Sequence, residues 1–128
     1  MKKLCFVFAL LVVSACASLA ALQAVVVNPK VAIFTASPQH ASVTNYVLEI
    51  YRQADLNTVV RSTDIGKPTP NAANDITVGL VKTGLTNNTN YVFHVVTNSA
   101  GGSTRSVTPS NPFAWEDPAG AASNLRAQ

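Results

Sequence analysis

The stretch Gly84-Leu85-Thr86-Asn87-Asn88-Thr89-Asn90-Tyr91-Val92-Phe93-His94-Val95 decides how the rest of this chain reads. Its second half, continued by Val96, alternates at period two, so Tyr91, Phe93 and Val95 share one face and Val92, His94 and Val96 the other. Aromatic and β-branched residues in that rhythm predict a half-buried strand. The Asn-rich first half is turn chemistry. After the strand, Asn98-Ser99-Ala100-Gly101-Gly102 reads as a hairpin loop leading to a last strand around Thr104 to Thr108.

Working outward, Tyr46-Val47-Leu48-Glu49-Ile50-Tyr51-Arg52 repeats the alternation. Tyr46, Leu48 and Ile50 form a core face; Val47, Glu49 and Tyr51 form its opposite. Lys30 to Thr35 is an earlier strand, stopped by Ser37-Pro38 because proline cannot donate to a ladder. Val25 to Val27, before Asn28-Pro29, is a short edge strand. Thr58 to Ser62 is a brief strand followed by a loop from Asp64 to Asn71, and Ile76, Val78 and Leu80 alternate in a further one. No segment of this region has helical periodicity. About seven short strands spaced by Pro, Gly and Asn predict an all-β sandwich or barrel.

Gly84-Leu85 lies six residues ahead of Tyr91, and that spacing resembles the fibronectin type III family. The turn at Asn98 to Gly102 and the strand from Tyr46 to Arg52, similar to the family's third strand, fit in the same order. The resemblance implies a seven-stranded antiparallel immunoglobulin-like β-sandwich over residues 25–112, with residues 113–128 as a C-terminal tail. It also implies a structural corner, in which Leu85 caps the core and the Tyr91 hydroxyl bonds a nearby backbone group. Each such side chain, once buried, is worth roughly 1.5–3 kcal/mol of transfer free energy. Two departures stand out. The core Trp usual on the second strand is replaced by Phe34 or Thr35, and alternation from Ile76 turns Lys82 inward unless a bulge precedes Gly84. Ala122-Ser123-Asn124-Leu125-Arg126-Ala127 resembles the opening strand of a further domain of this kind.

The chain of 128 residues opens on Met1-Lys2-Lys3 and an apolar run from Leu4 to Val13. This is the pattern of an export helix, too short to span a bilayer. Small residues offer cleavage at Ala15-Cys16-Ala17 or Ser18-Leu19-Ala20, with Ala24 a weaker choice, giving a signal peptide of residues 1–20. Val13-Ser14-Ala15-Cys16 also resembles a bacterial lipobox, in which case residues 1–15 are the leader and Cys16 carries lipid. Either way the leader absorbs both cysteines and two of the nine Lys/Arg. The seven that remain face six Asp/Glu, a formal +1 that argues against nucleic acid. A domain without cysteine past Cys16 has no internal disulfide and depends on its core.

Chemistry is sparse. His40 and His94 are expected at the surface, far apart, and Asp64, Asp75, Glu116 and Asp117 form no Asp-x-Asp loop. Neither a nucleophile, base and acid set nor a cofactor motif is visible. With Tyr91, Phe93 and Val95 inward, the outer face of Val47, Glu49, Tyr51, Val92 and His94 is the candidate binding face. Phe113 and Trp115 are candidate aromatic contacts. The expectation is a non-enzymatic, cofactor-free binding or adhesion module, periplasmic, extracellular or lipid-anchored, contacting envelope protein or glycan. Membrane contact would come only through a lipid on Cys16. The alternative is a structural spacer or assembly subunit joined through sheet edges and the C-terminal tail.

Overall fold

The computed structural model describes residues 23–117. The leader, Cys16 and the tail bearing Leu125 lie outside them. Eight strands occur among the described residues: β1 (Val26–Val27), β2 (Val31–Thr35), β3 (Val43–Arg52), β4 (Asp55–Gly66), β5 (Asp75–Gly79), β6 (Tyr91–Ser99), β7 (Gly102–Arg105) and β8 (Phe113–Ala114), with one 3-10 turn at His40–Ser42. The larger sheet runs β1-β8-β6-β3-β4, with β7 also on β6; the smaller pairs β2 with β5.

The two alternating segments form the spine. β3 and β6 pair antiparallel with Leu48 opposite Val95 and Ile50 opposite Phe93, so the two apolar stripes become one inner face. The small sheet covers it. Ala32 and Ile76 are buried on its underside, with Phe34 and Val78 packed beside them, and all join Tyr46, Leu48, Ile50, Leu85, Tyr91 and Val95 in one cluster. Phe34 takes the position a Trp was expected to fill and meets the Tyr46 ring edge-on at 5.4 Å. Thr35 points outward and is exposed.

Three expectations about strand limits need correction. β4 starts at Asp55 and runs to Gly66, well past Thr58 to Ser62. Its Asn, Asp and Ser residues have low β-propensity, but the long ladder on β3 satisfies their backbone regardless, with shifts of register after Tyr46, Ile50 and Tyr51. β5 ends at Gly79, so Lys82 is never turned inward. No bulge is required; Lys82 is exposed and pairs with Asp117 at 3.4 Å. The strand expected through Thr108 stops at Arg105. Beyond it the Ser106 and Ser110 N–H groups still donate to Val95 and Phe93 carbonyls, and Pro109 and Pro112 break the intervening ladder.

The packed unit continues past Pro112, where the tail was expected to begin. β8 places Phe113 opposite Tyr91, and Phe113 and Trp115 belong to the core cluster. β1 then pairs parallel with β8, Val26 opposite Phe113, and the chain reverses through Asn28 at φ 50 to enter β2. Asn28 Oδ1 accepts the Glu116 N–H at 3.0 Å, fastening that reversal to the end of β8.

Candidate functional site

The expected binding face is largely covered. Tyr51, Val92 and His94 do point away from the inner face, as alternation requires, yet they are 1%, 3% and 6% exposed. Val47 and Glu49 are half-buried. Strand β7 and the Ser106 backbone cover part of the patch. The Arg105 guanidinium lies 5.3 Å above the Tyr51 ring and 3.6 Å from Glu49, and the Tyr51 hydroxyl donates to Glu49 Oε2 at 2.6 Å. Burial first, then the bond to Glu49 and the negative charge of that carboxylate, hold the Tyr51 phenol above its ordinary pKa; Arg105 works against them.

His94 is likewise no surface residue. Its Nδ1 lies 2.8 Å from the Ser106 carbonyl and 3.0 Å from Ser106 Oγ, with the Tyr51 ring edge-on at 5.5 Å. A carbonyl only accepts, so Nδ1 carries the proton and donates. Ser106 Oγ meanwhile accepts the Val95 N–H at 3.1 Å. The Ser106–His94 pair therefore closes a gap in the ladder, and Nδ1 is not placed to take a proton from the serine. His40 is half-buried: its ring stacks on Tyr46 at 5.8 Å and its Nδ1 meets the Tyr46 hydroxyl at 2.8 Å. That hydroxyl accepts the Ser37 N–H at 3.2 Å, which leaves its own proton for His40.

At the other end, Leu85 is buried and the Tyr91 hydroxyl accepts the Thr86 N–H at 2.9 Å. Phe113 and Trp115, expected as surface aromatics, are 2% and 7% exposed. Their rings meet edge-on at 5.4 Å, and Phe113 sits near both Tyr91 and Phe93. They close the end of the core. Among the described residues no three His, Cys, Asp or Glu side chains gather closely enough to hold a metal ion.

The concave feature lies elsewhere, in a groove of about 1170 Å³ between β2 and the segment from Gly102 to Asn111. Phe34, Tyr46, Phe93 and Val95 line it from the core; Arg105, the one charged residue among its described lining residues, holds its guanidinium away from it, over the Tyr51 ring. One rim is a strand edge left unpaired among the described strands. The Leu80 N–H donates to the Lys30 carbonyl and the Ala36 N–H to the Asn74 carbonyl, so by alternation Ala32 and Phe34 also bond toward β5. The N–H and C=O groups of Val31, Ile33 and Thr35 point the other way, and β2 pairs only with β5 among the described strands. Val31 and Ile33 are 47% and 56% exposed on the outer surface of the small sheet.

The run from Lys30 to Thr35 was legible as a strand; its vacant edge was not, because sequence does not show which sheet β1 joins. The two-residue β1 carries that signal only after its pairing to β8 is known. In comparisons with known proteins, the chain matches no family model, no curated protein and no solved structure.

Proposed function

We propose that this chain is an exported, non-catalytic binding module of the cell envelope, built as an immunoglobulin-like sandwich similar to fibronectin type III domains, that takes an extended polypeptide strand along β2. The observation that carries this reading is the groove beside a strand edge that no other described strand pairs with. Three alternate residues, Val31, Ile33 and Thr35, offer outward backbone donors and acceptors, and the groove beside them can take side chains of an added strand, the combination that β-strand addition uses. The apolar floor of the groove, from Phe34, Tyr46, Phe93 and Val95, favours a strand with small or apolar side chains. The strand order supports the immunoglobulin-like part: β3, β6 and β7 stand as the C, F and G strands and β2 and β5 as B and E. The leader supports export.

Ile33→Pro tests this reading. The Ile33 N–H faces away from β5, so proline there removes a docking donor while the β2–β5 ladder persists. The immobilised protein should retain an envelope polypeptide saturably, and Ile33→Pro should abolish retention while leaving the melting temperature within a few degrees. Undiminished retention by the variant, or saturable binding of glycans alone, would overturn it. A concentration-dependent doubling of mass lost in the same variant would assign the edge to a second copy instead.

A further inference from the structure

The groove beside β2 is not uniform along its length. Its Val31 end is tied to apolar residues: the Leu80 N–H donates to the Lys30 carbonyl, and Phe113, which lies opposite both Val26 and Tyr91, has the Phe93 ring at 6.3 Å. Leu80, Val26, Phe93 and Phe113 all line the groove. Its other end is hydroxylated. The Ser37 N–H donates to the Tyr46 hydroxyl, Tyr46 lies opposite Thr97 and Thr97 opposite Thr104, and all four line the groove. Along β6 the inward residues Tyr91 and Val95 are 1% and 8% exposed, whereas Phe93 between them is only half-buried. The core is therefore open over Phe93. The inward residues of β2 are Ala32 and Phe34, a small side chain toward the apolar end and a large one toward the hydroxyls.

Neighbouring strands set side chains of one face directly beside each other, so a strand added along β2 places its inward residues beside Ala32 and Phe34 in turn. We propose that the added strand is selected by two of its side chains: a large apolar one that seats over Phe93 beside Ala32, and a small or hydroxylated one at the next inward position, beside Phe34 and toward Thr97 and Thr104. The Ala32 methyl leaves room for the first, and Phe34 occupies the room that a second large side chain would need. The first completes the apolar cluster that Phe93 borders and is the anchor of binding. Neither position suits a charge. The Arg105 guanidinium lies over Tyr51 on the outer face, and no other charged residue is among the described lining residues, so an inward carboxylate or ammonium would be buried without a counter-charge. The inference rests on the reading of the groove as a strand seat and names the pattern of side chains that fits it.

Two fluorescent, end-capped peptides test it, Thr-Thr-Leu-Thr-Ser-Thr-Thr and its reversal Thr-Thr-Ser-Thr-Leu-Thr-Thr, one for each direction along β2. The protein purified from cells should bind at least one of them saturably, and Ile33→Pro should abolish that binding. Changing the peptide leucine to alanine or aspartate should weaken binding by about tenfold or more. Changing its serine to leucine, so that both inward positions are large, should weaken it comparably. Phe93→Ala deepens the seat, so a peptide with tryptophan in place of leucine should bind that variant better than the leucine peptide does, the reverse of the order on the unaltered protein. Should Phe93→Ala not fold, the peptide series on the unaltered protein decides alone. Binding that Ile33→Pro abolishes but that varies less than about threefold across the series would overturn the proposal and leave the strand seat standing. Retention of an envelope polypeptide with no binding of either peptide would do the same. Peptide binding that survives Ile33→Pro, or no saturable binding of peptides or envelope polypeptide, would refute the seat itself.

Discussion

At the residue scale, Tyr51 is a buried phenol held between a carboxylate and a guanidinium on the outer face of the larger sheet. Its hydroxyl donates to Glu49, its ring lies under Arg105, and its titration is displaced upward by burial and by the neighbouring carboxylate. The folded form therefore keeps a proton that the unfolded chain releases. Below the ordinary tyrosine pKa both forms hold it and stability is unaffected; above that value the unfolded chain binds fewer protons, and stability falls as pH rises toward the folded pKa. Melting temperature should fall as pH rises past about 10, the ordinary tyrosine value, and Tyr51→Phe should flatten that fall. An equally steep fall in Tyr51→Phe would show that the alkaline transition belongs elsewhere. The burial of Tyr51, Val92 and His94 shows why a face deduced by alternation is not an exposed face. Alternation states which side of a sheet a residue takes, and the chain beyond β6 then returned over that side.

At the scale of elements, β8 is two residues long and yet contributes much of the end of the core. It brings Phe113 against Tyr91 and Phe93, with the adjoining Trp115 edge-on to Phe113, and it anchors β1. Trp115→Ala should cost about 3–5 kcal/mol, as large-to-small changes in cores do, measured as a lower urea midpoint at unchanged slope. A loss below about 1 kcal/mol, the usual size for surface positions, would mean that the ring is not packed as described. The Pro112-Phe113-Ala114-Trp115 stretch reads as a tail in sequence because prolines precede and follow it. The hydrogen bonds that recover it, Val26 N–H to Pro112 and Asn28 N–H to Ala114, join positions nearly ninety residues apart. No local pattern contains them.

At the scale of the whole molecule, both sheets feed one cluster of buried residues, and neither cysteine of the chain lies among residues 23–117. Unfolding followed by Trp115 fluorescence and by far-ultraviolet dichroism should therefore coincide, and a reducing agent should leave the midpoint unchanged. Separate transitions would mean that the small sheet detaches before the larger one. The strongly alternating strands β3 and β6 and their inner faces were legible in the amino-acid sequence, because side-chain period and turn chemistry are local properties. Tertiary structure alone decided what those elements leave open or cover. It extended β4 through residues of poor propensity, drew Phe113 and Trp115 into the core, closed the outer face over Tyr51 and His94, and sent β1 to the larger sheet. Each of these turns on pairing between distant segments, where hydrogen bonds and burial outweigh local preference, and together they leave a groove beside β2.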